Sequence, residues 1–276
     1  MRPSLINARA SDTATPPPAR SQGCGGLRTR PALEKLVEMA ARTRFETERH
    51  LYRFREAPAD FQNSEAFFRM VMMGVVLTED FDIRYNPQRR ATPADTKPDD
   101  GFFHDPQVVF LSGLLGPSRR GTCSSLPVLY VAVGRHLGYP LKLVANKGHL
   151  FVRWEGNGDR LNLEVTGHGV NRFEDDYYRH WPFEITPEEE KAEGYLKSLT
   201  PSEELAAFLS IRGLCLRDAA RIPDAAEAFA SAASLAPNCR SYRRMLTNLQ
   251  KTLHDQPALA VAPQPTSAPT ISTTRP

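Results

Sequence analysis

The stretch LKLVANKGHLFVRWEGNGDRLNLEV, residues 141–165, constrains the fold more than any other part of the chain. Its apolar residues recur with the period of two expected of strands. Lys147, His149, Phe151 and Arg153 fall on one face of the first strand, and Leu150, Val152 and Trp154 on the other. EGNGD between the runs is a hairpin signal, because Asn-Gly suits the positive-φ positions of a type I′ turn. In the partner strand Leu161, Leu163 and Val165 take one face, Asn162 and Glu164 the opposite one. The turn sets the register. A Gly156-Asn157 turn pairs His149 directly with Glu164. An Asn157-Gly158 turn pairs Phe151 with Glu164 and leaves His149 on the diagonal. For either even loop His149 and Glu164 share a face within side-chain reach, whereas an odd loop would part them.

Around this hairpin the chain reads mostly as helix. PALEKLVEMAARTRFETERHLYRF starts with Pro31 in a first turn and carries Leu33, Leu36, Val37 and Ala40 at helical spacing. NSEAFFRMVMMGVVLTEDF has an N-cap in Asn63 or Ser64. YNPQRRATPADTKPDDG reads as a polar loop, and DPQVVFLSGLLG as one short helix ended by Gly116 and Pro117. SSLPVLYVAVGRHLG aligns Leu126, Leu129, Tyr130, Val133 and Leu137, and Gly138 with Pro140 stops it near Leu137. FEDDYYRHWPFEIT reads as an irregular aromatic segment, with helix resuming near Pro187.

Charge is unevenly placed. Residues 1–30 carry +4 and residues 256–276 carry +1, so the body between them is at −2. The basic balance belongs to the tails, and no broad basic face argues for nucleic acid. Both tails are low-complexity and are expected to be disordered. No apolar run reaches the roughly 18 residues of a membrane span. The N-terminus lacks an apolar signal core, and its prolines argue against an amphipathic transit helix. The 4 cysteines lie far apart, without a C-x-x-C pair, which suggests neither a disulfide framework nor zinc and fits a reducing cytoplasm.

GTCSSLPVLY, residues 121–130, places Cys123 at or just before a helix start, where free backbone N–H groups and the dipole favour a thiolate. Alone, such a cysteine is most often a small buried hydrophobe. A lone strand histidine is usually a satisfied core or surface group, and a lone strand glutamate usually faces water. The three together form the order a thiol nucleophile needs: Cys123 to attack, His149 as base, Glu164 to orient it. Pro127 is a tension, because a helix begun at Cys123 would lose a needed N–H there. Asn146 and Gln107 are weak oxyanion candidates beside the Cys123 N–H. Trp154, Tyr177, Tyr178 and Trp181 read as core or cleft-wall aromatics, and His168 as a loop histidine. A metal site from Cys123, His149 and His168 lacks any close ligand pair.

GTCSSLPVLYVAVGRHLGYPLKLVANKGHLFVRW followed by LNLE resembles the transglutaminase-like superfamily, a permuted relative of the papain-like fold. The resemblance implies an α+β fold with an antiparallel sheet packed on helices, no cofactor and no metal. It assigns nucleophile, base and acid to Cys123, His149 and Glu164, although the family's third residue is usually Asp. Residues 206–239 resemble one tetratricopeptide repeat, with Gly213, Ala225, Phe229, Ala232 and Pro237 at matching positions of a 34-residue window. Leu209 and Leu216 stand where aromatics are usual, and an ordinary amphipathic hairpin is the alternative. Bacterial members with trailing repeats of this kind look most similar.

The expected organisation is a disordered tail over 1–30, a transglutaminase-like domain over 31–199, a repeat-like all-α segment over 200–255 and a second tail over 256–276. The expected activity is a cysteine-dependent amide or peptide hydrolase, with a cysteine peptidase as one form of it, or an acyltransferase, on a protein or peptide substrate. A protein partner could dock on the repeat-like segment, and neither nucleic acid nor membrane is expected. The competing reading is a non-catalytic protein-interaction module.

Overall fold

The computed structural model describes residues 29–89 and 101–255. The tail readings thus fall outside the described residues except at Thr29 and Arg30, which already belong to a helix, and most of the polar loop at 85–101 falls outside too. The first helix is α1 (Thr29–Glu56), and α2 (Glu65–Glu79) follows. Ser64, not Asn63, caps α2, its hydroxyl accepting from the Phe67 N–H at 3.2 Å. A two-residue strand β1 (Arg84–Tyr85) pairs in parallel with β2 (Arg120–Gly121).

The stretch expected as one short helix is two single turns, α3 (Pro106–Val109) and α4 (Leu111–Leu114), parted by Phe110 in an extended conformation (φ −105°, ψ 148°). The carbonyls of Val108 and Val109 accept side-chain hydroxyls from residues 122–125 and do not continue a helical ladder. Helix α5 (Leu126–Leu137) ends as expected at Gly138, which takes φ 76°.

A four-stranded antiparallel sheet follows in the order β3 (Leu141–Asn146), β4 (His149–Gly156), β5 (Asp159–Glu164), β6 (Asn171–Phe173). The β4–β5 turn is Asn157-Gly158, both at positive φ (56° and 87°), so of the two possible registers the second is realised. One face of the sheet packs Leu143, Val152 and Leu163 against Leu129 and Val133 of α5, with Met70 and Met73 of α2 in the same core. The segment read as irregular contains β6 and α6 (Asp175–His180). Its pattern was unreadable because α6 spans barely two turns and buries only Tyr178. Tyr178 lies face to face with Phe151 at 3.8 Å and covers the second face of the sheet with Val144 and Leu196.

After α7 (Pro187–Glu193) the chain runs along the edge of β3, with Leu196 N–H bonded to Ala145 O and Leu199 N–H to Leu143 O. This delivers α8 (Pro201–Asp218), α9 (Ile222–Leu235) and α10 (Arg240–Asp255) beside the sheet. Helices α8 and α9 run antiparallel, since Ser202 near the start of α8 donates to Leu235 O at the end of α9. An Arg135–Glu204 ion pair at 2.6 Å, with the Glu204 side chain 7% exposed, ties α8 to α5. A Cβ on Gly213 would lie 2.6 Å from the Phe229 ring, which is itself packed in the helical core. Gly213→Ala should therefore cost about 1–3 kcal/mol by overpacking, read as a lower midpoint in urea unfolding. No helix among the described residues is long and apolar enough to cross a membrane.

Candidate active site

Cys123 lies in a turn between β2 and α5, and hydroxyl groups hold that turn in place. Thr122 Oγ1 donates to Val108 O at 3.2 Å, Ser125 Oγ to Val108 O at 3.0 Å, and Ser124 Oγ to Val109 O at 3.0 Å. Ser125 Oγ also accepts from the Thr122 N–H. All three side chains are buried, whereas Cys123 between them is half-buried and lines a cavity. Leaving any of these hydroxyls unpaired would cost about 1–3 kcal/mol, so the network fixes where the thiol points. Only the hydroxyl-rich composition of TCSS hints at this network.

The tension at Pro127 resolves through the helix start. Helix α5 begins at Leu126, so Pro127 falls in its first turn, where no N–H is required. Cys123 precedes the Ser125 N-cap by two residues, close to the positive end of the α5 dipole. Its own N–H is engaged by no hydrogen bond among the described residues, which leaves it available to a developing oxyanion.

His149 begins β4 and Glu164 ends β5. The pairing Val152↔Leu163, carried one step further, sets Phe151 opposite Glu164 and His149 on the diagonal. The diagonal is bridged: His149 Nε2 lies 2.7 Å from Glu164 Oε2, and the two side chains are 2% and 6% exposed. A carboxylate only accepts, so Nε2 carries the proton and Nδ1 is the ring's remaining nitrogen, while the Cys123 sulfur lies 4.0 Å from the carbonyl oxygen of Gly148, the residue before His149. Glu164 Oε1 accepts from the Thr166 N–H at 2.8 Å and from the Thr166 hydroxyl. Thr166, absent from the sequence reading, thus holds the carboxylate that holds the histidine. The longer reach of Glu relative to Asp matches the diagonal placement.

Aromatic walls shield the pair. The Trp181 ring stands edge-on to the imidazole at 4.6 Å, and Tyr178 lies nearly parallel to it at 6.3 Å. The buried Tyr178 hydroxyl has no hydrogen-bond partner among the described residues, and burial followed by the Glu164 charge pushes its pKa up. Burial alone would lower the pKa of His149. The Cys123 sulfur and the Glu164 carboxylate outweigh burial and raise it to about 9. Burial opposes ionisation of Glu164, yet the His149 bond and the Thr166 donors carry its pKa below the usual value.

The other candidates separate clearly. The Asn146 amide donates to the carbonyls of Tyr178 and Trp181, so it anchors the α6 end to β3 and is not a free oxyanion donor. Gln107 and His168 are exposed and do not line the cavity. Trp154 is in the main core beside Tyr139, and Tyr177 stacks on Phe173. No cluster of three or more His, Cys, Asp or Glu side chains is placed to hold a metal among the described residues.

Residues 95–209 match the family model of the transglutaminase-like superfamily. This superfamily includes cysteine-dependent hydrolases and acyltransferases, and the matched stretch contains Cys123, His149 and Glu164. It ends inside α8, so α9 and α10 lie beyond it, as do α1 and α2. No curated protein and no solved structure matches the chain.

Proposed function

We propose that the protein is a cysteine-dependent amide or peptide hydrolase acting through Cys123, His149 and Glu164. The observation that carries this reading is the buried 2.7 Å contact between His149 and Glu164, in a cavity that Cys123 lines as well. Burying a charged pair has a desolvation penalty of several kcal/mol per ion, a cost a binding surface has no need to bear. This weighs against a non-catalytic interaction module.

In the proposed reaction the Cys123 sulfur attacks the carbonyl carbon, and the C–S bond forms as charge moves to the carbonyl oxygen facing the Cys123 N–H. The C–N bond then breaks, and the proton on His149 Nδ1 passes to the departing amine. A water, deprotonated by the now neutral His149, attacks the thioester and the C–S bond breaks, regenerating the thiolate and the imidazolium. An amine in place of water would make the same site an acyltransferase. Bacterial members that this architecture resembles are mostly expected hydrolases or of unknown activity, which favours water.

Alkylation by iodoacetamide tests the nucleophile. At pH 6.5 Cys123 should react at least about tenfold faster than an ordinary thiol of pKa roughly 8.5, and His149→Gln should remove the advantage. A wild-type pH profile identical to that of a simple thiol would overturn the catalytic reading.

A further inference from the structure

The cavity that opens onto Cys123 extends well beyond the three reacting groups. Its volume is about 370 Å³, within the usual range of roughly 300–1,000 Å³ for ligand pockets. Cys123, Asn146, Gly148 and His149 line one part of it. Another part is lined by Leu214 of α8, Phe229 of α9, and Tyr242 and Met245 of α10. Phe102 and Phe103, in edge-to-face contact at 4.9 Å, line it as well. The helices that lie beyond the family match therefore supply wall to the same cavity as the nucleophile.

We infer that α8–α10 form a substrate subsite for a bulky apolar side chain, aromatic or long aliphatic, flanking the carbonyl that Cys123 attacks. The inference rests on the proposed role of Cys123. Two features point to the occupant. The lining away from the reacting groups is dominated by aromatic, aliphatic and thioether side chains, which gain from excluding water and offer little to a polar chain. The acids of this wall are already engaged: Glu193 accepts from the Ser241 N–H at 2.7 Å, and Glu203 caps α8 through Thr200. A substrate side chain meeting the α8–α10 part of this wall meets mostly hydrocarbon and sulfur from Leu214, Phe229 and Met245, with Lys191 and Lys197 lining the cavity from α7 and the segment after it. Phe229 is held against Gly213, so the wall is preformed.

The test uses the full chain and two alkylating probes that differ only in their apolar group, chloroacetamide and N-phenethyl chloroacetamide. In both, the thiolate displaces chloride, and mass spectrometry of the Cys123 peptide gives the rate. The phenethyl probe should modify Cys123 with saturation, at least about tenfold faster than chloroacetamide at low concentration. Met245→Trp and Ala207→Phe, which fill the cavity from α10 and α8, should each cut that advantage to below about threefold. Their rates with chloroacetamide should stay within about twofold of wild type, which also reports that the fold is intact. Equal wild-type rates with the two probes would overturn the subsite, as would an advantage that survives both filling variants. Failure of the nucleophile reading looks different: chloroacetamide itself would then follow the pH profile of an ordinary thiol, whatever the phenethyl probe does.

Discussion

His149→Gln should lower kcat/KM on any amide substrate by about 10²- to 10⁴-fold, the range general acid–base groups supply. Glutamine is chosen because of what lies behind the ring. Glu164 is 4% exposed, and alanine at 149 would leave its carboxylate buried with only the Thr166 donors. Breaking a buried pair in that way costs about 3–5 kcal/mol, and an unfolded sample would mimic a dead enzyme. A glutamine amide can still donate toward Glu164, so the expected change in stability is about 1 kcal/mol or less while the titrating nitrogen is gone. The measurement is steady-state kinetics beside urea unfolding on the same preparations. A rate within about fivefold of wild type would exclude His149 as the acid and base.

How much of this site was legible follows from the range of the interactions that build it. The hairpin was readable because alternation and Asn-Gly are local signals, and the Asn157-Gly158 turn fixes the whole register within 16 residues of His149. Cys123 was readable as a residue ahead of α5, since apolar spacing and Gly138 delimit that helix. The hydroxyl network was not, because Thr122, Ser124 and Ser125 reach partners 14–17 residues away in a segment whose own helical pattern they interrupt. Thr166 was missed for the opposite reason: it sits two residues from Glu164, but its role appears only once the strand end has turned. Phe229, Tyr242 and Met245 could not be assigned to the cleft from periodicity. They reach it because residues 196–199 follow the edge of β3 and carry α8 to the sheet, a tertiary path that no helical pattern encodes.

Glu164→Gln should shift the pH dependence of both activity and stability, and the signs follow from which groups titrate. The His149 pKa is raised to about 9 from an ordinary 6.5, because the Cys123 sulfur and the Glu164 carboxylate outweigh burial. At 1.36 kcal/mol per unit this is about 3 kcal/mol, shared between the two partners. A folded-state pKa raised in this way stabilises the protein fully below pH 6.5, and the stabilisation is lost as pH rises through 9. Glu164 acts at the other end: its pKa is depressed, so its contribution is present above the ordinary carboxylate value and lost as pH falls through the folded-state value. Removing the Glu164 charge leaves burial to pull His149 down. The stability loss between pH 6.5 and 9 should then flatten in Glu164→Gln, and the alkaline limb of kcat/KM should move from near pH 9 to lower pH by at least about one unit. A role for Glu164 in packing alone would lower stability by the same amount at every pH and leave the limb in place. Unfolding midpoints and kcat/KM measured from pH 5 to 10 separate the two outcomes, and an unmoved alkaline limb would show that Glu164 does not set the charge of the histidine.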